Sequence, residues 1–94
     1  MKNSVRISYC TQCKWLLRSA WLGQELLTTF EKELSQLTLE PTTGGVFEIH
    51  VNGTLVWERK RDNGFPEIKK LKQLVRDIIA PEKSLGHSDK KKEE

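Results

Sequence analysis

Hydrophobic and polar residues alternate over Val5-Arg6-Ile7-Ser8-Tyr9, with the two-residue period of a β-strand. The period changes at Cys13, after which apolar or small residues recur at steps of three and four, as on one face of a helix. These positions are Leu16, Ala20, Gly23, Leu27, Phe30, Leu34 and Leu37. The pattern predicts a strand that runs directly into Cys10 and one long helix from about Cys13 to Leu37.

A loop and a hairpin are predicted next. Residues 39–45 include Pro41 and a pair of glycines, which favour an irregular connection. An alternating run over 47–51 and a second run over 54–59 then flank Asn52-Gly53. Asn-Gly supplies the two positive φ angles of a type I′ turn, whose twist matches that of the flanking strands. The sequence therefore predicts a β-hairpin across residues 47–59.

The last ordered element is predicted to be a helix between Pro66 and Pro81. Its apolar face is made by Ile68, Leu71, Leu74, Val75, Ile78 and Ile79. Residues 82–94 contain one leucine and no aromatic residue, too little apolar surface to offset the entropy of ordering. We therefore expect one domain over residues 1–80 and a mobile charged tail over residues 81–94.

The order of these elements predicts an α+β fold. A β-α-β-β-α chain can form a small mixed sheet covered by two helices. The strands on either side of the first helix are expected to be parallel through a right-handed crossover, and the hairpin adds an antiparallel neighbour. This arrangement is a thioredoxin-like core with a shortened middle.

Composition narrows the classes of function. Charged residues make up 31% of the 94 residues, and no apolar run approaches the roughly 18 residues that cross a bilayer. The start of the chain also lacks the pattern of a secretory signal. The net charge is +3, but acidic residues interleave with the basic ones. We therefore expect no continuous basic surface that could bind the phosphates of a nucleic acid. We expect a soluble cytoplasmic protein that binds neither nucleic acid nor membranes.

The candidate chemistry lies at Cys10 and Cys13, where the predicted strand meets the predicted helix. The first-turn N–H groups of a helix favour negative charge, and therefore a thiolate. Lys14 and Arg18 add positive charge, and residues 7–24 contain no acidic side chain. Two residues between the sulfurs also allow a disulfide to close. The pair is therefore predicted to be a redox-active dithiol.

Three other interpretations of the cysteine pair stay open. The cysteines can be small buried hydrophobic side chains, or a structural clip, which a reducing cytoplasm would usually keep open. A zinc site needs four ligands, and the chain offers only His50 and His87 besides the cysteines. A second chain would have to complete such a site. We therefore expect no bound metal or other cofactor.

Several segments resemble the SelT/SelW/SelH family over residues 4–80. The similar segments are Ser8-Tyr9-Cys10-Thr11-Gln12-Cys13, Gly44-Gly45-Val46-Phe47-Glu48-Ile49, Leu55-Val56-Trp57-Glu58-Arg59-Lys60 and Gly64-Phe65-Pro66. Beyond residue 80, the tail sequence Leu85-Gly86-His87-Ser88-Asp89 also resembles the ending of bacterial members of this family. The resemblance implies a thioredoxin-like fold and a thiol redox role. It also places Cys13 where selenoprotein relatives carry selenocysteine.

The resemblance leaves the order of attack open between the two cysteines. Thioredoxin logic makes the first cysteine the nucleophile, whereas the more reactive chalcogen of this family is the second. We favour Cys13 as the thiol- or peroxide-reactive residue and Cys10 as its resolving partner. The residue near the position of the thioredoxin cis-proline is here Gly45. The residues expected beside the dithiol are Thr11, Gln12, Lys14, Trp15, Gly44, Gly45 and Phe65.

Two functions follow from these expectations. The first is a thiol-disulfide oxidoreductase or antioxidant protein, whose partner is a protein thiol or disulfide, with glutathione as a further candidate. The second is a redox-sensitive interaction module without catalytic turnover, in which the state of the dithiol controls docking through Trp15 and the glycine loop. Turnover with a reductant distinguishes them, because an oxidoreductase cycles and a sensor only switches.

Overall fold

Four strands and two helices form the domain in a computed structural model that describes residues 2–86. The elements, in chain order, are β1 Ser4–Cys10, α1 Leu16–Thr29, β2 Gln36–Thr42, β3 Phe47–Val51, β4 Thr54–Glu58 and α2 Ile68–Ile79. The sheet order is β2-β1-β3-β4. β1 is parallel to β2 and antiparallel to β3, and β3 is antiparallel to β4. The predicted α+β fold with a mixed sheet and two helices is confirmed.

The core lies on one face of the sheet, as the alternation in β1 and β3 requires. Register pairs the apolar residues of these two strands: Val5 with Val51, Ile7 with Ile49, and Tyr9 with Phe47. Both helices add buried side chains to this same cluster, and these are Leu22, Leu26, Leu71 and Val75. The two helices therefore cover the same face, with β1 and β3 in the centre of the sheet.

The predicted long helix is wrong at both ends. α1 begins at Leu16 and ends at Thr29, and residues 36–42 form the strand β2 instead of helix and loop. β2 is an edge strand, where the missing N–H of Pro41 is tolerated. The chain therefore has one more strand than predicted, and its order is β-α-β-β-β-α. The parallel partner of β1 is this added strand, whereas the predicted second strand is β3 and runs antiparallel to β1.

The buried face of α1 also differs from the predicted stripe. Leu16 and Leu27 are 51% and 42% exposed, and the buried positions are Ser19, Leu22, Gly23 and Leu26. A Cβ on Gly23 would lie 2.8 Å from Cδ2 of Leu37 on β2. The close approach of α1 to β2 at Gly23 therefore fixes which face of the helix is buried.

The predicted hairpin is confirmed. β3 and β4 are joined by Asn52 and Gly53, whose φ angles are 52° and 85°, as a type I′ turn requires. The register then shifts between Ile49 and His50. This irregularity is an insertion in β4, where Val56 has no partner because Trp57 faces Ile49 and Leu55 faces His50.

Residues 81–86, which the sequence assigned to a mobile tail, contact the domain. The Lys83 ammonium lies 3.2 Å from Oε2 of Glu33, and Arg76 donates a hydrogen bond of 2.8 Å to the carbonyl of Lys83. Leu85 packs against the core cluster. The rest of the predicted tail, including His87, lies outside the described residues. Within residues 2–86, no helix is both long and apolar enough to cross a membrane.

Candidate redox site

The cysteines lie at the end of the sheet where three connections meet. Cys10 is the last residue of β1 and is paired with Thr42, the last residue of β2. The preceding residue, Tyr9, is paired with Phe47 at the start of β3, whose carbonyl accepts a hydrogen bond of 3.1 Å from the N–H of Arg59. The connections β1–α1, β2–β3 and β4–α2 therefore meet beside the cysteines.

Cys10 and Cys13 form a disulfide, with their Cα atoms 5.3 Å apart. Their environments are unequal. Cys10 is 1% exposed within the sheet, whereas Cys13 is partly exposed. Of the two, Cys13 is therefore the one that a second molecule can reach.

The dithiol occupies a separate turn ahead of α1. The N–H of Lys14 donates to the carbonyl of Thr11 (3.0 Å), and the N–H of Trp15 donates to the carbonyl of Cys10 (3.4 Å). Lys14 has φ of 64°, so these bonds form a Schellman-type arrangement that closes one helical turn with a left-handed residue. The prediction that Cys13 opens the helix is therefore wrong, because a left-handed residue cannot continue a right-handed helix.

This geometry removes the predicted support of a thiolate by the first turn of α1. The free N–H groups of that turn belong to residues 16–18, beyond the left-handed Lys14. The influence of a helix end on a charge falls off within about one turn. The positive charge of Lys14, the residue after Cys13, is one remaining source of stabilisation for a Cys13 thiolate.

The turn is tied to β2 through Thr11 and Thr42. The N–H of Thr11 donates to the carbonyl of Thr42 at 2.9 Å, and its hydroxyl donates to the same oxygen at 3.2 Å. The hydroxyl of Thr42 donates in turn to the carbonyl of Tyr9 at 2.9 Å. Gln12, also predicted to be site-adjacent, is an exposed residue of the turn.

Three aromatic rings pack together directly after the dithiol turn. The centroid of Trp15 lies 5.0 Å from that of Phe65 and 6.5 Å from that of Phe47, and the two phenylalanine centroids are 4.9 Å apart. All three pairs are edge-to-face, a favourable geometry for aromatic side chains. The structure therefore joins the predicted residues Trp15 and Phe65 and adds Phe47, which was predicted only as a strand residue.

Two arginines lie over this cluster. The guanidinium carbon of Arg18 is 4.1 Å from the centroid of Phe65, and that of Arg59 is 5.0 Å from the centroid of Trp15, both within the range of cation–π attraction. Arg59 was not singled out from the sequence. The sequence signal that could have identified Arg59 is its position directly after β4, because that position lies opposite the first residue of β3.

The glycine loop reaches the site through Arg59. Gly44 and Gly45 have φ of 75° and 77°, left-handed values that favour glycine. Arg59 donates a hydrogen bond of 3.4 Å from Nη2 to the carbonyl of Gly45. Gly45 is thus linked to the aromatic cluster, whereas nothing lies within 4 Å of a Cβ built on Gly44.

Two carboxylates organise the connection that carries Arg59. Glu58 accepts hydrogen bonds from the N–H of Arg61 (2.7 Å) and of Lys60 (3.2 Å), and these lower its pKa below the ordinary 4.5, the Arg61 bond most strongly. Asp62 accepts from the guanidinium of Arg61 (2.8 Å) and the N–H of Glu58 (2.9 Å). These bonds lower its pKa below 3.8, the guanidinium having the larger effect. The ionised carboxylates therefore hold this loop in place.

We expect acidification to release this contribution to stability. A carboxyl group whose pKa is lower in the folded state stabilises the fold fully above its unfolded pKa and loses that effect as the pH falls through the folded value. Stability is therefore lost over a pH range that begins near 4.5 for Glu58 and near 3.8 for Asp62 and extends to lower pH. The melting temperature of the parent protein should fall more between about pH 5 and pH 3 than that of a Glu58→Gln, Asp62→Asn double variant.

The control for this prediction is Glu31→Gln, at an exposed position. That variant should follow the parent protein across the same pH range. Equal losses of melting temperature in the parent and the double variant would contradict the prediction.

Metal ligation was an open interpretation of the cysteines. Within residues 2–86, no three His, Cys, Asp or Glu side chains group together as metal ligands. His50 pairs with Arg6, which lies four residues before Cys10 on β1, or about 13 Å along the strand. His50 is thus separated from the dithiol, and His87 lies outside the described residues.

A family model and solved structures match this chain. The Rdx family matches residues 4–77. A selenoprotein W-related protein from Vibrio cholerae has a solved structure 58% identical in sequence, with a TM-score of 0.81, covering 83% of this chain and 98% of that one. A solved structure from Bordetella parapertussis is 57% identical, with a TM-score of 0.80 and coverage of 82% and 98%.

A curated mouse relative is more distant. Migration and invasion enhancer 1 from Mus musculus is 32% identical over 72 residues, which cover 74% of this chain and 59% of that protein. The chain thus spans about three fifths of the length of this curated relative. The resemblance to the SelT/SelW/SelH family is confirmed, and the chain belongs to the Rdx family as a redox-related, thioredoxin-like protein.

Proposed function

We propose that this protein is a thiol-disulfide oxidoreductase in which Cys13 attacks and Cys10 resolves. The observation that carries the proposal is the unequal burial of two sulfurs within bonding distance of each other. Cys10 is enclosed at the end of β1, and Cys13 is partly exposed on the turn that follows. A substrate can reach only the sulfur of Cys13. The sulfur of Cys10 is positioned to attack that of Cys13 and release the bound substrate.

The reaction has two exchange steps. The thiolate of Cys13 attacks one sulfur of a substrate disulfide, forms a mixed disulfide and releases the first substrate thiolate, which takes up a proton. The thiolate of Cys10 then attacks the sulfur of Cys13 and releases the second substrate thiol. The substrate gains two electrons and the protein is left with the Cys10–Cys13 disulfide. Two equivalents of a small thiol such as glutathione would restore the dithiol and form one external disulfide.

The same pair of sulfurs supports reduction of a peroxide. The Cys13 thiolate would attack the peroxide oxygen, become a sulfenic acid and release water or an alcohol. Cys10 would then condense with the sulfenic acid, releasing water and forming the same disulfide. Both substrates lead to one oxidised form of the protein, so the antioxidant and oxidoreductase activities share one site.

Positive charge around the turn supports a reactive thiolate. Lys14 follows Cys13 directly, Arg18 lies over Phe65, and Arg59 lies over Trp15. Cations near a cysteine favour its ionised form, which is the nucleophile. The first acidic residue of α1, Glu25, is paired with Lys72 at 3.1 Å. The cationic character near the turn is therefore not neutralised by α1.

The first test is the reduction potential of the dithiol. The protein is equilibrated in glutathione buffers of graded poise, and the oxidised fraction is measured from the mass shift after thiol alkylation. We expect a potential between roughly −200 and −300 mV, the range of cytosolic oxidoreductases, and repeated turnover of a small disulfide with glutathione as reductant. A protein that forms no internal disulfide at any poise would contradict the proposal.

The interaction-module alternative has support in the exposed side chains of α1. Leu17 and Trp21 are 81% and 48% exposed close to the dithiol turn. A protein that forms the internal disulfide reversibly but shows no turnover with any small disulfide or peroxide would favour this alternative.

A further inference from the structure

A shallow, open groove runs along the first two turns of α1. It has a volume of about 570 Å³ and is lined by Lys14, Trp15, Leu17, Arg18 and Trp21. Leu17 is 81% exposed and Trp21 is 48% exposed, although both carry large apolar surfaces that burial would stabilise. The groove begins at Lys14, the residue next to Cys13. A molecule seated in it would therefore be held beside the exposed sulfur.

The groove combines an apolar surface with positive charge that no carboxylate balances. Within residues 2–86, Lys14 forms no ion pair, and Arg18 is engaged only over the ring of Phe65. A guanidinium stacked on a ring keeps N–H donors at its edge. The nearest acid on the helix, Glu25, is paired with Lys72. The complementary occupant is therefore apolar and negatively charged.

The dimensions of the groove fit a short piece of extended chain. Leu17 and Trp21 are four positions apart on α1, or about 6 Å along the helix, and Lys14 lies before the helix begins. An extended peptide covers about 6 Å with about two residues. One apolar side chain between Leu17 and Trp21 would then have neighbours on the same strand within reach of Lys14 and Arg18.

We propose that this groove, lined by Lys14, Leu17, Arg18 and Trp21, binds an extended acidic segment of a partner protein, with an apolar side chain between two carboxylates. This inference rests on the proposed function, because it assigns to the dithiol a protein substrate whose cysteine lies beside such a segment. The groove supplies affinity and selects the partner, and Cys13 supplies the chemistry.

Two other occupants fit the groove less well. A second copy related by two-fold symmetry would bring the same patch against itself, so that Lys14 and Arg18 of each copy would face like charges. An anionic membrane surface usually recruits clusters of roughly four to eight basic residues, whereas this groove has two. A single acidic segment matches the positive charge of Lys14 and Arg18 and the exposed apolar side chains of Leu17 and Trp21.

The test separates docking from redox chemistry. The probe is a short fluorescein-labelled peptide that alternates glutamate with leucine and contains no cysteine, titrated into the full-length oxidised protein and followed by anisotropy and amide NMR spectra. We expect saturable binding with shifts at Leu17, Arg18 and the Trp21 indole. Binding should weaken as salt rises, because screening shortens the reach of exposed charges to about 3 Å at 1 M.

Variants and matched peptides decide the outcome. Leu17→Ser should weaken binding about five-fold, the loss expected for one exposed apolar contact, and Lys14→Asn should remove much of the salt dependence. Leu27→Ser, on the same helix but outside the groove, should bind like the parent protein. A peptide with lysine in place of glutamate should not bind.

Three results would overturn the inference. These are equal binding of the acidic and basic peptides, peptide-induced shifts outside the groove, and groove shifts that appear only with phosphatidylserine vesicles or with rising protein concentration. Failure of the proposed function is a different result, because the peptide carries no thiol. The acidic peptide would then still bind the groove while a small disulfide is not turned over.

Discussion

The Cys13→Ser variant is expected to lose disulfide turnover by at least about a thousandfold, whereas Cys10→Ser is expected to accumulate a mixed disulfide with the substrate. Cys13 is the partly exposed sulfur, so its loss removes the nucleophile. Cys10 is 1% exposed, so its loss removes the step that releases the substrate. Intact-protein mass after incubation with oxidised glutathione distinguishes the two outcomes.

The double variant Cys10→Ser, Cys13→Ser is the control for this experiment and should show no added mass. The opposite pattern, a mixed disulfide on Cys10 in the Cys13→Ser variant and none on Cys13, would reverse the order of attack. That result would require the β1–α1 turn to open before the reaction, because Cys10 is enclosed in the structure.

The Phe47→Ala variant is expected to lower the free energy of unfolding by about 3–5 kcal/mol. Phe47 is 0% exposed and packs edge-to-face on both Trp15 and Phe65. Removal of the ring leaves a cavity beneath the residues that border the dithiol turn. A domain of this size has roughly 5–15 kcal/mol of total stability, so the loss is a large fraction. Urea unfolding followed by circular dichroism measures it.

Two controls bracket that value. Phe47→Leu retains most of the volume and should cost less than about 1.5 kcal/mol if the core repacks. Leu27→Ala, at a position 42% exposed, should stay within about 0.5 kcal/mol of the parent protein. If Phe47→Ala lowered the free energy of unfolding by less than Phe47→Leu does, the ring would not support the end of the sheet that holds the site.

The parts of the fold that were predictable from sequence depend on local chemistry. The Asn52-Gly53 turn fixes its own backbone angles, and β3 before it alternates between buried and partly exposed residues. Helix α2 lies between two prolines with an apolar face that is sustained over its length. The Cys-x-x-Cys spacing after β1 similarly identified the dithiol, because two sulfurs at that spacing can bond without any distant partner.

Two of the missed parts, β2 and the role of Arg59, depend on residues far apart in sequence, and the third is the local backbone conformation of Lys14. β2 exists because it pairs with β1, and Pro41 together with a helical spacing of leucines concealed its alternation. The dithiol turn ends at Lys14, which has a left-handed φ. Because the residue is a lysine and not a glycine, the sequence gives no signal for this conformation. The role of Arg59 likewise depends on the rings of Trp15 and on the Gly45 carbonyl, which only the folded sheet brings together.

The position of the disulfide within a single turn bears on how folding and oxidation are coupled. Cys10 and Cys13 are three positions apart, so the bond closes a very small loop in the unfolded chain. Loop-closure entropy at that length is about 2 kcal/mol, less than the expected effect of removing one buried ring. We therefore expect the apolar cluster on β1 and β3 to stabilise the fold in both the disulfide and the dithiol form. On the proposed function, two electrons would therefore enter or leave the sulfurs while the apolar cluster that aligns them stays assembled.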